Sequence, residues 1–479
     1  MSVIGSNILA GASSAVSDYT IDQSCIFYDA ESRYMSRTAD STASSSTAWT
    51  YSGWVKLGQT AYGSVFFMGG PSVNDCSIIA TYGTWPDLVL VIRSHTDPST
   101  TSYRLITSQY FRDYSSWYHI FVAYDSTQSE TDRIKLYING ERVTAFSTES
   151  YPSASLAEPY INVDTKNQML SRWGTDNDTG YYDGYMAEIH VIDGTASVGD
   201  FGEFDATTNQ WKPIKYTGSY GNNGFFIDFR DSADLGDDES GNGNDFSTTN
   251  FGPTDQVLDS PTNSFCTLNP ALPLYTYYGG MYREGNLTTS LAEFAQTGYT
   301  GTVANSTGKW YWEFTMNSSG HSGAKSEAGI YNEDSPVWSG GPDPGIDSTG
   351  AIMYGYYDGN KYVDGSSSSY GDTYDFPDVM GVALNLDDGE VTFYNEDVGQ
   401  GAISFSGTSF ATASTVVPGF NCESSEGCHA NFGQDSSFQG VVTSGSSNAS
   451  DDNGIGDFYY APPSGFLALC TSNLPDPEI

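Results

Sequence analysis

Hydrophobic positions along this chain fall in short runs, separated by clusters of Gly, Asn, Asp and Ser. "TAWTYSGWVKL" (47–57), "WYHIFVAYD" (117–125), "RIKLYINGERV" (133–143) and "GYMAEIHVIDG" (184–194) are β-branched and aromatic runs closed by turn residues, the signature of strands. Spacings of three and four, which mark helices, are nearly absent, and the best such stretch, "SLAEFAQT" (290–297), is shorter than a marginal helix. The pattern predicts an all-β chain. No repeat period of about 20–50 residues appears, so sandwiches or barrels are expected rather than a solenoid.

Further on, "VMGVALNLDDGEVTFYNED" (379–397) brings Asp387, Asp388 and Glu390 together. Val382, Leu384 and Leu386 alternate to one face of a strand, and Val391 and Phe393 do so on the next. Asp388-Gly389 between them is a two-residue hairpin signal, since Gly supplies the positive φ of a type I′ turn and Asp tolerates it. The carboxylates are therefore assigned to a turn rather than to chemistry.

Composition shifts divide the chain into three pieces. Residues 1–24, "MSVIGSNILAGASSAVSDYTIDQS", are small and polar with no charge before Asp18. They hold too little apolar surface to offset their ordering entropy, and are expected to form a mobile arm that orders on a neighbouring protein. The stretch 237–265 reads as loop, and strands resume from about Gly308. Domains are expected at 25–260 and 261–479, each long enough to bury its own core.

Charge narrows the partners. Asp and Glu number 59 against 18 Lys and Arg, a formal net charge of -41, so nucleic-acid backbones and anionic membrane surfaces are repelled and neither is an expected partner. Solubility at high ionic strength follows, in keeping with a saline habitat. No apolar run reaches membrane-spanning length, and with no Lys or Arg before Arg33 the start lacks the charged region of a secretory signal. Cys25, Cys76, Cys266, Cys422, Cys428 and Cys470 are few and mostly isolated, and read as reduced thiols of a protein made in a cytosol.

Candidate chemistry is sparse. His95, His119, His190, His321 and His429 are scattered, which argues neither a Ser-His-Asp set nor a multi-histidine metal site. Cys422, Cys428 and His429 flank a short turn but fall short of the four ligands of a closed zinc site. No cofactor is expected; calcium is favoured over zinc as a bound ion, at the oxygens of Asp237, Asp238, Asn242, Asn244 and Asp245 in "DDESGNGND", whose spacing is not that of an EF-hand. The expected binding residues are tyrosines on two Gly- and Tyr-rich stretches: Tyr275, Tyr277, Tyr278 and Tyr282 in "PLYTYYGGMYREGN", and Tyr356, Tyr357, Tyr362 and Tyr370 in "MYGYYDGNKYVDGSSSSYGDTYDF". Tyr gives rigid amphipathic contacts for a sugar or a protein, but it also covers sandwich edges.

The order and spacing of "TYSGWVKL", "WYHIFVAYD", "LYINGERV" and "DGYMAEIHVIDG" resemble laminin-G-like, concanavalin-type sandwiches over residues 25–195. "FFIDFRDSADLGDDESGNGNDF" (225–246) looks like the strand and turn that usually open such a domain, yet it comes last, which implies a permuted or appended edge strand. In the second half, "GKWYWEFTM", "AGIYNED", "MYGYYDGNKY", "DVMGVALNLDDGEVTFYNED" and "PGFNC" with "CHANFGQDSSF" resemble a SPRY domain from end to end. The resemblance implies two antiparallel jelly-roll sandwiches in tandem. Concanavalin-type hydrolases carry a Glu-x-Asp-x-Glu strand; "GEFDAT" (202–207) lacks the third carboxylate and Glu188 shares its face with His190 and Ile192, so no enzyme is expected.

Two such sandwiches behind a small-residue start look like structural proteins of marine bacteriophages. The implied role is a fibre, knob or capsid-decorating protein on the virion surface, anchored to other virion proteins by its arm and meeting a host glycan or protein. A homo-oligomer is expected, and with no heptad seam it would assemble through sandwich faces or a partner. The alternatives are a free carbohydrate-binding or glycan-degrading protein and a cytoplasmic SPRY adaptor for host peptides.

Overall fold

The computed structural model describes residues 19–475 except 59–62, 84–86, 98–99, 176–179, 271–280, 291–295, 317–325, 335–348, 424–426 and 443–448. Among the described residues there is no α-helix. The chain divides between Asn263 and Ser264 into two compact units, each a β-sandwich.

In the first unit one sheet runs Glu141–Arg142, Ile134–Ile138, Trp117–Asp125, Ala48–Leu57, Gly184–Ile192, Ser24–Phe27, Gln256–Val257. Its partner sheet runs Phe146–Ser150, Thr100–Thr107, Val89–Asp97, Asp75–Tyr82, Val65–Ser72, Asn167–Leu170, Tyr34–Thr38, Ser247–Thr249. Alternation sets the faces: Ile134, Leu136 and Ile138 are buried while Lys135 and Tyr137 between them are not. Tyr51, Val55, Phe67, Ile79, Leu90, Ile92, Leu105, Ile120 and Val122 fill the space between the sheets. Trp49 stacks on Tyr124 at 5.7 Å, and its indole N–H donates to the buried Glu158, which also accepts from Ser77 and Tyr103.

The strand Phe225–Ile227 pairs with residues 189–191 of Gly184–Ile192, on the strand that carries Ser24–Phe27 at 184–186. The late segment is thus an appended strand beside the early one. The stretch 237–265 is not a linker: Ser247–Thr249 closes one sheet, Gln256–Val257 closes the other, and Asp259 is fully buried. Gly, Asn and Asp had made it read as loop, and they do form turns, but turns fastened to the sandwich. Residues 19–24 of the expected arm are likewise packed. Ile21 is buried and exchanges hydrogen bonds with Thr262, and Tyr19 donates to Glu188. Residues 1–18 lie outside the described residues.

In the second unit one sheet runs Met281–Arg283, Thr288–Ser290, Cys428–Asn431, Lys309–Met316, Met380–Asn385, Glu390–Asn395, Val398–Ser404, and the other Gln296–Thr300, Val416–Glu423, Glu327–Asn332, Ala351–Gly355, Asn360–Val363, Ser366–Ser369. The late pair Leu467–Ala468 adds in parallel to Lys309–Met316. "LDDG" is a four-residue loop, because the last ladder pair is Asn385 with Glu390 rather than Asp387 with Glu390. Asp387 accepts from the Gly308 backbone N–H at 2.8 Å, and Asp388 accepts from Asn385 at 2.7 Å and lies 3.3 Å from Lys309. Those side chains pin two loops together, so the carboxylates do belong to a turn, one twice as long as the Asp-Gly signal implied.

Candidate functional site

The two outer faces of the first sandwich differ. Over one sheet, Phe201, Tyr216 and Tyr220 from the segment after Ile192 pack on Phe121 and Ile192. On the other, Val65, Met68, Ile78, Ala80, Val91 and Ile106 point outward and form an apolar floor. A cleft of about 320 Å³ opens there, lined by Val65, Ile78, Ala80, Tyr82, Arg93 and Trp173 among others. That volume sits at the low end for small-molecule sites, and a mostly apolar wall with few polar groups is their usual make-up.

Register places the charges. Ile92 pairs with Leu105 and both point inward, so their neighbours Arg93 and Arg104, directly paired across the two strands, project together to the outer face. Arg93 lies over the Trp173 ring at 4.5 Å and Arg104 over the Tyr82 ring at 5.7 Å. These contacts set both guanidiniums against aromatic rings. Arg93 Nε, Arg104 Nε and Trp173 Nε1 are buried and have no hydrogen-bond partner among the described residues. Burial lowers the Arg93 pKa, and the charge of Arg104 adds to this.

Trp173 is held by its loop. Ser171 donates to the Arg33 carbonyl, Thr175 to the Pro71 carbonyl at 2.7 Å, and the Val65 N–H to the Gly180 carbonyl at 3.0 Å. Gly180, at φ 73°, stands where a Cβ would meet Trp173 Cβ at 2.9 Å, so the close return of the loop requires glycine.

The tyrosines expected to bind do not gather at a surface. Tyr275, Tyr277 and Tyr278 lie outside the described residues. Tyr282 is buried and donates to the Asn269 carbonyl. Tyr356 and Tyr362 are buried with their hydroxyls on Asp375 and Asp358, and Tyr370 donates to the Gly401 carbonyl. Only Tyr357 of the five described is well exposed, at 55%. Four of the five therefore tie loops to the second sandwich.

The oxygens in "DDESGNGND" are occupied from within. Asp238 accepts from the backbone N–H groups of Phe226, Ser240 and Asn244, Asp245 from that of Asp238, and Asn244 from Arg37. Asn242 turns its amide N–H groups to the Gly221 and Gly224 carbonyls. The Asp237 pKa is raised by desolvation and by Asp245 and Glu239. Cys422 and Cys428 both approach Thr289 Oγ1, at 3.6 and 3.7 Å, while His429 turns to Thr288 and Gln439. Among the described residues no three His, Cys, Asp or Glu side chains converge as metal ligands.

One pair imitates a catalytic dyad. Ser52 Oγ lies 2.8 Å from His119 Nε2, but the Trp211 indole N–H donates to Nδ1 at 3.1 Å, so the ring proton sits on Nε2 and points at the serine. His119 cannot take the serine proton, is fully buried, and is held neutral by that burial, its pKa lowered to about 3. Glu188 sits in the bulge of Gly184–Ile192 at φ 44°, whereas Glu203 lies on the hairpin Gly202–Phe204 against Lys212 at 3.3 Å.

The cleft residues escaped the sequence reading. Their one linear signal is Arg93, a charge in the middle of "LVLVIRSH"; that Arg104 stands opposite it depends on register.

Comparison with known proteins divides along the same boundary. Residues 29–200 match the model of the Concanavalin A-like lectin/glucanases superfamily, and residues 309–435 match that of the SPRY domain. The chain thus carries these two β-sandwich domains in tandem. No curated protein matches it. Among solved structures, the SPRY domain of human HERC1 is 14% identical, covering 30% of this chain and 87% of that one with a TM-score of 0.26. A heptameric SAP-like pentraxin from Limulus polyphemus is 12% identical, over 37% and 80%, with a TM-score of 0.28. A putative carbohydrate binding protein from Bacteroides ovatus is 13% identical, over 48% and 59%, with a TM-score of 0.33.

Proposed function

We propose that the protein is a non-enzymatic adhesin on the surface of a phage particle, a fibre, knob or capsid-decorating protein whose sandwiches meet a host-surface glycan. The observation that carries the binding half is the cleft on the first sandwich, where the Trp173 indole, the Tyr82 ring and the Arg93 guanidinium stand around an apolar floor, with Arg104 over the Tyr82 ring at its edge. A domain of the concanavalin A-like lectin class suits that use. The particle half draws support from the charge of -41, from six buried cysteines outside any disulfide, and from the resemblance of the tandem to phage structural proteins. Residues 1–18 serve as the attachment segment to another virion protein, since they carry no charge before Asp18 and so avoid like-charge repulsion at an acidic particle. A protein inventory of washed particles tests this reading. The chain is expected there at a fixed copy number, and recovery only from the soluble lysate would overturn it.

A further inference from the structure

We propose that the cleft of the first sandwich takes an acidic saccharide, whose carboxylate or sulfate binds between Arg93 and Arg104 while its ring lies on the apolar floor beside Trp173. The inference rests on the glycan-binding reading above and adds the charge of the ligand.

The argument is one of charge left over. Carboxylates outnumber cations 59 to 18 in this chain, and many of the basic side chains are paired. Arg33, Lys56, Arg112, Arg142, Arg230 and Lys309 each have a carboxylate within 3.3 Å. Even Arg37, which has no ion pair, donates to Gln168, Asn223 and Asn244. Among the described residues Arg93 and Arg104 have neither an ion pair nor a hydrogen bond, and they stand directly opposite one another, an arrangement that repels. Two facing guanidiniums, each with a buried and unused Nε–H donor, form a half-built anion site, because a planar carboxylate or a sulfate can accept from both forks. The rings beneath them hold the guanidiniums in place before any ligand arrives.

The neighbours narrow the anion to one attached to a sugar. Val65, Ile78, Ala80 and Val91 line the cleft with apolar side chains, which suits the C–H face of a pyranose, and among the described residues the Trp173 indole N–H has no partner and is a donor for a ring hydroxyl. An inorganic anion would use the arginines and leave the rest of the cleft empty.

Titration calorimetry on the full chain at low salt provides the test. The probes are oligogalacturonate for carboxylate, a carrageenan oligosaccharide for sulfate, maltohexaose for a neutral sugar and poly-glutamate for an acidic peptide. At least one acidic saccharide is expected to bind tenfold or more tighter than maltohexaose and poly-glutamate. Arg104→Gln and Arg93→Gln are each expected to weaken that saccharide about tenfold, the usual loss for one charge-assisted hydrogen bond, with the thermal unfolding transition retained. The preferred acidic probe identifies carboxylate or sulfate as the source. Equal binding of maltohexaose, equal binding of poly-glutamate, or unchanged affinity in both variants overturns the inference. Binding of neutral sugar alone overturns it while leaving the glycan-binding reading intact, and no saccharide binding at all overturns both.

Discussion

Lys56 Nζ lies 2.6 Å from Asp259 Oδ2 in the first sandwich, both side chains fully buried, and the Trp117 indole N–H donates to the other carboxylate oxygen at 2.9 Å. Lys56 belongs to the central strand Ala48–Leu57, whereas Asp259 comes from the last few residues of the unit. The charge pair therefore locks the end of the unit onto its middle. Removing one partner of such a pair strands the other charge, which costs about 3–5 kcal/mol. Asp259→Ala is expected to destabilise the first sandwich by about that much in urea denaturation, and a fragment ending at residue 255 is expected not to fold while one ending at residue 263 does.

The start of the ordered chain makes a similar prediction. Ile21 is buried and its backbone exchanges hydrogen bonds with Thr262, so a chain beginning at Cys25 loses that contact and the Tyr19–Glu188 hydrogen bond. Burial of one Ile and three net hydrogen bonds together amount to about 5 kcal/mol. Truncation to Tyr19 is expected to leave the unfolding midpoint unchanged and to block incorporation into particles, while truncation to Cys25 lowers the midpoint as well.

In the second sandwich, Glu313 has its carboxyl fully buried and accepts from the backbone N–H groups of Tyr459 and Tyr460, both at 2.7 Å. Burial outweighs those bonds and pushes its pKa up to about 8 from 4.5. Between those values the folded chain keeps a proton that the unfolded chain has released, so this group's contribution to stability is present below pH 4.5 and is lost as pH rises towards 8. Unfolding curves at pH 5 and pH 8 are expected to differ less for Glu313→Gln than for the wild type. Equal pH dependence in the two proteins would contradict the assignment.

All six cysteines are buried and none is in a disulfide, and burial raises the Cys25 pKa well above its ordinary value. A thiol reagent is expected to label none of them in the native protein within minutes and all six in denaturant.

The strands were legible in the sequence because their pattern is local. Ile134, Leu136 and Ile138 show their inward face by alternation alone, and the runs at 47–57 and 117–125 reappear within one residue of their expected bounds. What failed was long-range. The composition of 237–265 marks turns but cannot say that Asp238 accepts three backbone N–H groups or that Asp259 is paired with Lys56. Tyrosine content pointed to the second domain, yet a tyrosine that binds and one that fastens a loop look alike until its hydroxyl partner is known. Arg93 and Arg104 are eleven positions apart in sequence and become one feature only through the register of two strands.

Trp173 offers the most direct test of where the protein binds. A chip carrying a defined panel of neutral and acidic oligosaccharides should be probed with the full chain and with its Trp173→Ala variant, with thermal unfolding of both as the control for folding. The wild type is expected to bind at least one member of the panel, and the variant to bind it about tenfold more weakly, since loss of an aromatic contact and its N–H donor in a desolvated cleft costs on the order of 1–3 kcal/mol. Wild-type binding that survives Trp173→Ala unchanged would place the glycan elsewhere and contradict the assignment of the cleft.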